Sequence, residues 1–170
     1  ETFTPPPFKP LRIFIVKKKF LPISAKDDND QDILDRITKL DQIYVSNLKM
    51  DQFQGVTKTH DIIIDFQNLN TEDSLYLFLN GWLFPTDASI NVNLSQNDSL
   101  KSIFPFIQVK NKYNQWVTVI ENIGFPKGKN KTMIIDMTNK FLADNYKVRI
   151  RTNMQIYWDQ IFMANNSSKT

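Results

Sequence analysis

YKVRIRTNMQIYWDQIFM, Tyr146 to Met163, is the stretch that sets the fold class. In its first half Val148 and Ile150 alternate with Arg149 and Arg151, the period of two that turns apolar side chains to one face of a strand and charged ones to the other. A second β-like run, QIYWDQIFM, follows from Gln155, and a turn at Thr152-Asn153 would fold the two into a hairpin. That pairing would bring Arg149 and Arg151 toward Asp159 as an ion-pair ladder or a ligand clamp.

Toward the N-terminus the same kind of run recurs. HDIIIDF (His60–Phe66), SLYLFLNGW (Ser74–Trp82), SINVNL (Ser89–Leu94), FPFIQVK (Phe104–Lys110), WVTVIENI (Trp116–Ile123) and KTMIIDM (Lys131–Met137) all read as strands. Short polar turns such as NKYN (Asn111–Asn114) and Asp144-Asn145 separate them, at roughly the 8–12-residue spacing of a sandwich or barrel. LRIFIV (Leu11–Val16) opens the series, and Lys17, Lys18 and Lys19 after it suit a sheet edge kept from pairing by charge. The expectation is an all-β, jelly-roll-like β-sandwich.

One segment changes period. Within Asp27–Val45, Ile33, Leu34, Ile37, Leu40 and Tyr44 fall on one helical face, with Asn29 or Asp30 available as N-cap, so one short N-terminal helix is expected. ETFTPPPFKP, residues 1–10, reads as a proline-rich lead-in from a preceding domain. Residues 11–164 form a single domain and 165–170 a frayed tail. Because the first residue is Glu1, a leader or larger upstream region is expected to precede it.

Composition excludes several chemistries. With no cysteine there is no thiolate nucleophile, disulfide or cysteine metal site, and with one histidine, His60, no multi-histidine site. A net charge of +3 is too weak to mark a dedicated nucleic-acid binder, and no apolar run reaches the ~20 residues of a membrane span. GFPKGKNKT (Gly124–Thr132) imitates a phosphate loop, but its second glycine comes one residue early and Asn130 stands where a hydroxyl should follow Lys129. Flanked by β-like runs, it reads instead as a hairpin connection.

Several of these motifs together resemble a known family. GWLFPTDASIN, GFPKGKNKT and IYWDQI, within a likeness covering nearly all of the chain after the lead-in, are similar to a C-terminal domain of large bacterial proteins that carry FG-GAP/VCBS-type repeats and an ASPIC/UnbV-type segment, related to cartilage acidic protein. The chain departs from the family's acidic turn DDxGxD, having DDND at Asp27–Asp30. The resemblance implies a non-catalytic β-rich module in an exported, hence extracytoplasmic, protein, following a propeller of repeats and serving adhesion or ligand binding.

The residues themselves offer a few sites. Asp27, Asp28 and Asp30 could cap the expected helix or hold Ca²⁺, although the EF-hand spacing is not met. His60 near Asp61 and Asp65 suggests general-base chemistry, but a strand puts the two aspartates on one face and the histidine on the other, so no catalytic residue is expected. Trp82, Asp87, Asn91, Arg149, Arg151, Tyr157, Trp158 and Asp159 could together stack on and hydrogen-bond a sugar, with Trp82, Asp87, Arg149, Trp158 and Asp159 lining one pocket. Lys127, Lys129 and Lys131 form a basic loop that meets an anionic partner or only water. The expected function is non-enzymatic binding of a glycan or a protein partner, with a purely structural role, packing on neighbouring repeats or another subunit, as the alternative.

Overall fold

The computed structural model describes residues 15–86 and 101–166. Among these, nine strands and one helical turn follow in the order β1 (Val16–Phe20), β2 (Ser24–Asp27), α1 (Leu34–Ile37), β3 (Val56–Asp65), β4 (Leu75–Leu83), β5 (Phe106–Lys110), β6 (Trp116–Ile120), β7 (Lys131–Asp136), β8 (Lys147–Met154) and β9 (Ile156–Asn166). Residues 11–14 of the first expected strand and all of SINVNL lie outside the described residues.

The strands make two antiparallel sheets, β1-β9-β4-β7 and β2-β3-β8-β5-β6. Setting β2 aside as an addition beside β3, the remaining strands follow the double Greek-key order of a jelly roll, so the expected β-sandwich is the observed fold. The alternation read in the sequence is the alternation of layers. Ile62 and Ile64 of β3, Val148 and Ile150 of β8, and Ile107 and Val109 of β5 face Leu77 and Leu79 of β4 and Ile161 and Met163 of β9, all within one buried cluster. Each such side chain contributes roughly 1.5–3 kcal/mol by leaving water.

The outer face of the five-stranded sheet is charged, whereas that of the four-stranded sheet carries the stacked rings of Phe78 and Phe162, with centroids 4.7 Å apart. On the outer face of the five-stranded sheet Asp61 accepts from Arg151 Nε and Nη2 at 2.6 and 2.7 Å, and Lys147 pairs with Asp65 at 2.7 Å. On the edge strand β1, Lys18 lies over the Phe20 ring and Lys19 over that of Phe162, which places charge along an edge open to other chains.

Three expectations are corrected. The helix expected within Asp27–Val45 shrinks to α1, because a local side-chain turn captures the backbone before it and tertiary bonds capture it after. Asp27 Oδ1 accepts from the N–H groups of Asn29 and Gln31 and holds a turn in which Asp30 has φ +59°. Beyond α1, Asp159 Oδ1 accepts from the N–H groups of Asp41 and Gln42, and Val45 donates to the carbonyl of Trp158. Leu40, expected on the apolar face, is 62% exposed. Neither Asn29 nor Asp30 caps α1: Ile33 holds the N-cap position without a side-chain bond.

Second, β8 and β9 are not a hairpin. They belong to different sheets, and the chain changes layer at Gln155. Third, GFPKGKNKT does not join paired neighbours. It leaves β6, an edge of the five-stranded sheet, and enters β7, an edge of the other, thereby closing one end of the sandwich.

Candidate functional site

The crossing at Gln155 organises that end. Gln155 is buried; its N–H donates to the Gly55 carbonyl, its carbonyl accepts from Phe84 N, its Oε1 accepts from Gly55 N at 3.1 Å, and its Nε2 donates to the Tyr157 hydroxyl at 2.7 Å. Four hydrogen bonds to three residues thus run through Gln155. Gly55 fits there only as glycine, since it has φ +84° and a Cβ would lie 2.3 Å from Thr86 Cγ2.

An aromatic wall grows from the same tie. Where β4 passes a bulge in β9, Gly81 lies against Tyr157 and Trp158, and a Cβ there would come within 2.5 Å of the Tyr157 carbonyl. Next to it Trp82 stacks on Tyr157, with centroids 4.8 Å apart, and Tyr44 packs edge-on against both rings. The Tyr44 hydroxyl donates to Asn130 Oδ1 at 2.8 Å, joining the wall to the glycine-lysine connector. Burial, with the Asp159 carboxylate adding to it, raises the Tyr44 pKa above that of a free phenol.

Between this wall and the connector lies a cavity of about 640 Å³. Trp82, Leu83, Pro85, Phe104, Phe125 and Met154 supply its apolar surface, Thr86 and Ser102 its hydroxyls, and Lys127, Gly128 and Lys129 one side. Phe104 and Phe125 stack with centroids 5.9 Å apart, and Phe104 is 43% exposed. Neither Lys127 nor Lys129 has an ion-pair partner among the described residues. Gly128, with φ +90° and open space around it, turns the connector between the two lysines. Lys131 begins β7, opposite Gly81, and does not line the cavity.

The residues expected to share a sugar pocket do not converge. Trp158, 2% exposed, belongs to the core and presents no face to a ligand. Asp159 is fully buried beneath residues 41–42, holding their N–H groups with Oδ1, while its Oδ2 has no hydrogen-bond partner among the described residues. Arg149 and Arg151 lie on the outer face of the other sheet. They engage Asp61 instead of Asp159, because β8 pairs with β3 and β5. Arg149 also donates through Nε and Nη2 to Gln108 Oε1 and covers the Trp116 ring at 4.6 Å. Burial lowers the Arg149 pKa and Asp61 opposes that effect; in Arg151 the hydrogen bonds to Asp61 raise it. Asp87 and Asn91 lie outside the described residues. Of the described members of the set, Trp82 and its stacking partner Tyr157 stand at the cavity end, and only Trp82 lines the cavity.

The acidic turn and the histidine carry structural duties. Asp27 uses both oxygens, Oδ2 accepting from Asn47 Nδ2 at 2.9 Å. Burial alone would raise its pKa, but the bonds from Asn47, Gln31 and Asn29 outweigh that and lower it. Asp28 is exposed, and Asp30 pairs at the surface with Lys26. Among the described residues no group of three or more His, Asp or Glu stands where it could hold a metal ion. His60 is buried with Nδ1 3.0 Å from Thr57 Oγ1 and 3.1 Å from the Lys58 carbonyl; burial depresses its pKa. Asp61 and Asp65, each one position along the strand from an inward-facing residue, Ile62 and Ile64 respectively, turn to the outer face.

Two residues central to this end carried no signal in the sequence. Gln155 looks like any polar residue between strands, and Phe104 reads as the start of FPFIQVK. No family model, no curated protein and no solved structure matches the chain.

Proposed function

We propose that the chain is a non-enzymatic interaction module that takes an apolar group of a protein partner into the cavity beside Trp82. The carrying observation is the cavity itself: about 640 Å³, walled mainly by aromatic and aliphatic carbon, within the size range of sites that bury most of a small ligand. Such a pocket suits the anchor side chain of a binding hot spot. A sugar fits less well, since its ring hydroxyls would meet Leu83, Pro85 and Met154, and each buried hydroxyl left unpaired costs about 1–3 kcal/mol. The resemblance to FG-GAP/VCBS- and ASPIC/UnbV-associated domains adds the context of a larger exported protein to the proposal.

The test uses a neutral aromatic fragment. Titration of the isotope-labelled chain with N-acetyl-phenylalanine amide should move the amide resonances of Gly128 and Met154. Phe104→Ala, which removes a half-exposed wall and leaves the buried core untouched, should weaken the effect several-fold. Shifts confined to other parts of the molecule, or none at millimolar fragment, would refute the site.

A second reading rests on a separate surface. Ile15, Val16, Leu21 and Ile23 are each more than 40% exposed along β1 and the segment after it, next to a sheet edge. Packing on another domain or subunit would cover them. Light scattering across a concentration series measures self-association directly, and a monomer throughout counts against the version with a second copy.

A further inference from the structure

Among its described lining residues the cavity carries charge of one sign. Lys127 and Lys129 line it, and no aspartate or glutamate is among its described lining residues. Some lysines of this chain find carboxylate partners: Lys58 meets Asp51 at 2.8 Å and Lys147 meets Asp65 at 2.7 Å. The two beside the cavity have none among the described residues. Around Gly128, where a Cβ would meet nothing within 4 Å, the backbone is turned by open conformation and not by packing. The connector therefore presents two ammonium groups beside an apolar cavity without any contact that requires them there.

We infer that the partner segment is an acidic peptide, with an aromatic or large aliphatic side chain in the cavity and carboxylates on Lys127 and Lys129. This rests on the interaction-module reading and supplies the chemistry of its ligand. Charge complementarity fixes the sign, and the carbon-rich walls fix the anchor. An acidic sugar satisfies the lysines equally but brings ring hydroxyls against Leu83, Pro85 and Met154, and among the described lining residues the hydroxyls of Thr86 and Ser102 are too few to match them. A peptide side chain buries carbon alone, while its backbone stays at the mouth.

The experiment compares blocked pentapeptides with a central phenylalanine flanked by aspartates, by serines or by lysines, titrated into the isotope-labelled chain at low salt. The aspartate peptide should bind about tenfold more tightly than the serine peptide, the range expected of two partly exposed ion pairs. The lysine peptide should bind more weakly than either. Added salt should shrink the difference. Lys127→Ala with Lys129→Ala should bring the affinities for the aspartate and serine peptides within twofold of each other. Equal affinity for aspartate and serine peptides overturns the inference and leaves the interaction module standing. Binding of a uronic-acid oligosaccharide, lost in Phe104→Ala, with no peptide bound, overturns the peptide and keeps the site. No shift at Gly128 or Met154 with any probe removes both.

Discussion

Replacing Gln155 by leucine tests whether the layer crossing is held by side-chain hydrogen bonds or only by the backbone around it. Leucine keeps most of the volume and leaves intact the backbone bonds from Phe84 N to the 155 carbonyl and from the 155 N–H to the Gly55 carbonyl. It removes the acceptor of the Gly55 N–H and the donor to the Tyr157 hydroxyl. Gly55 is buried, so its amide is left unpaired at about 1–3 kcal/mol; Tyr157 is only half-buried and can turn to water, losing about 0.5 kcal/mol. The sum is about 1.5–3.5 kcal/mol. For a domain of this size each kcal/mol moves Tm by roughly 2–4 °C, so a fall of about 3–14 °C is expected. Urea unfolding of both proteins measures the free energy, and hydrogen exchange at the Gly55 amide reports the particular bond. A loss below about 0.5 kcal/mol, with the Gly55 amide still protected, would refute the assignment of Gln155 as the tie.

Gly81→Ala places a Cβ 2.5 Å from the Tyr157 carbonyl and 3.2 Å from Trp158 Cα, both backbone atoms that cannot swing aside, so a loss of about 3 kcal/mol is expected in thermal unfolding; a wild-type Tm would contradict the close passage of β4 over β9. By contrast Gly128→Ala meets open space and should cost only about 1 kcal/mol, through its φ of +90°. The pKa of His60 is lower folded than unfolded, so below the unfolded value of 6.5 the unfolded chain takes up a proton that the folded chain refuses. Stability should fall as pH drops below 6.5 and level off once pH passes beneath the folded value. His60→Asn should flatten that part of a urea-midpoint profile, and a profile unchanged by the substitution would show that burial of His60 does not set it. Asp27 acts at lower pH: its contribution is complete above its unfolded value of 3.8 and is lost as pH falls through the depressed folded one.

How legible each part was depends on how local its cause is. Alternation within a strand is written in consecutive residues, and so HDIIIDF, SLYLFLNGW and YKVRIRT each overlap most of an observed strand and FPFIQVK contains one. The polar turns were equally readable: Asn111 Oδ1 accepts from Tyr113 N and Gln115 N, and Asn145 Oδ1 from Lys147 N. The expected helix forms but stays short, because a side-chain turn at Asp27 precedes it and distant rivals follow it. Asp159 takes the N–H groups of Asp41 and Gln42 from across the chain, which no helical periodicity in Asp27–Val45 could announce. The same non-locality undid the pocket. Arg149 and Asp159 are close in sequence, but the crossing at Gln155 sends them to different layers.

From its own pattern, then, the chain determined that it would be two packed sheets of alternating strands, with no cysteine chemistry and no histidine cluster. Residue types and their period of two suffice for that, because the hydrophobic effect needs only one apolar face per strand. Which strands pair, where the layers exchange, and which of Trp82 and Trp158 meets the surface were decided by the tertiary structure. So was the cavity, assembled from connectors as far apart in sequence as Leu83, Phe104, Lys127 and Met154. Those outcomes follow from hydrogen bonds and packing between residues distant along the chain, whose partners are defined only once the sheets have closed.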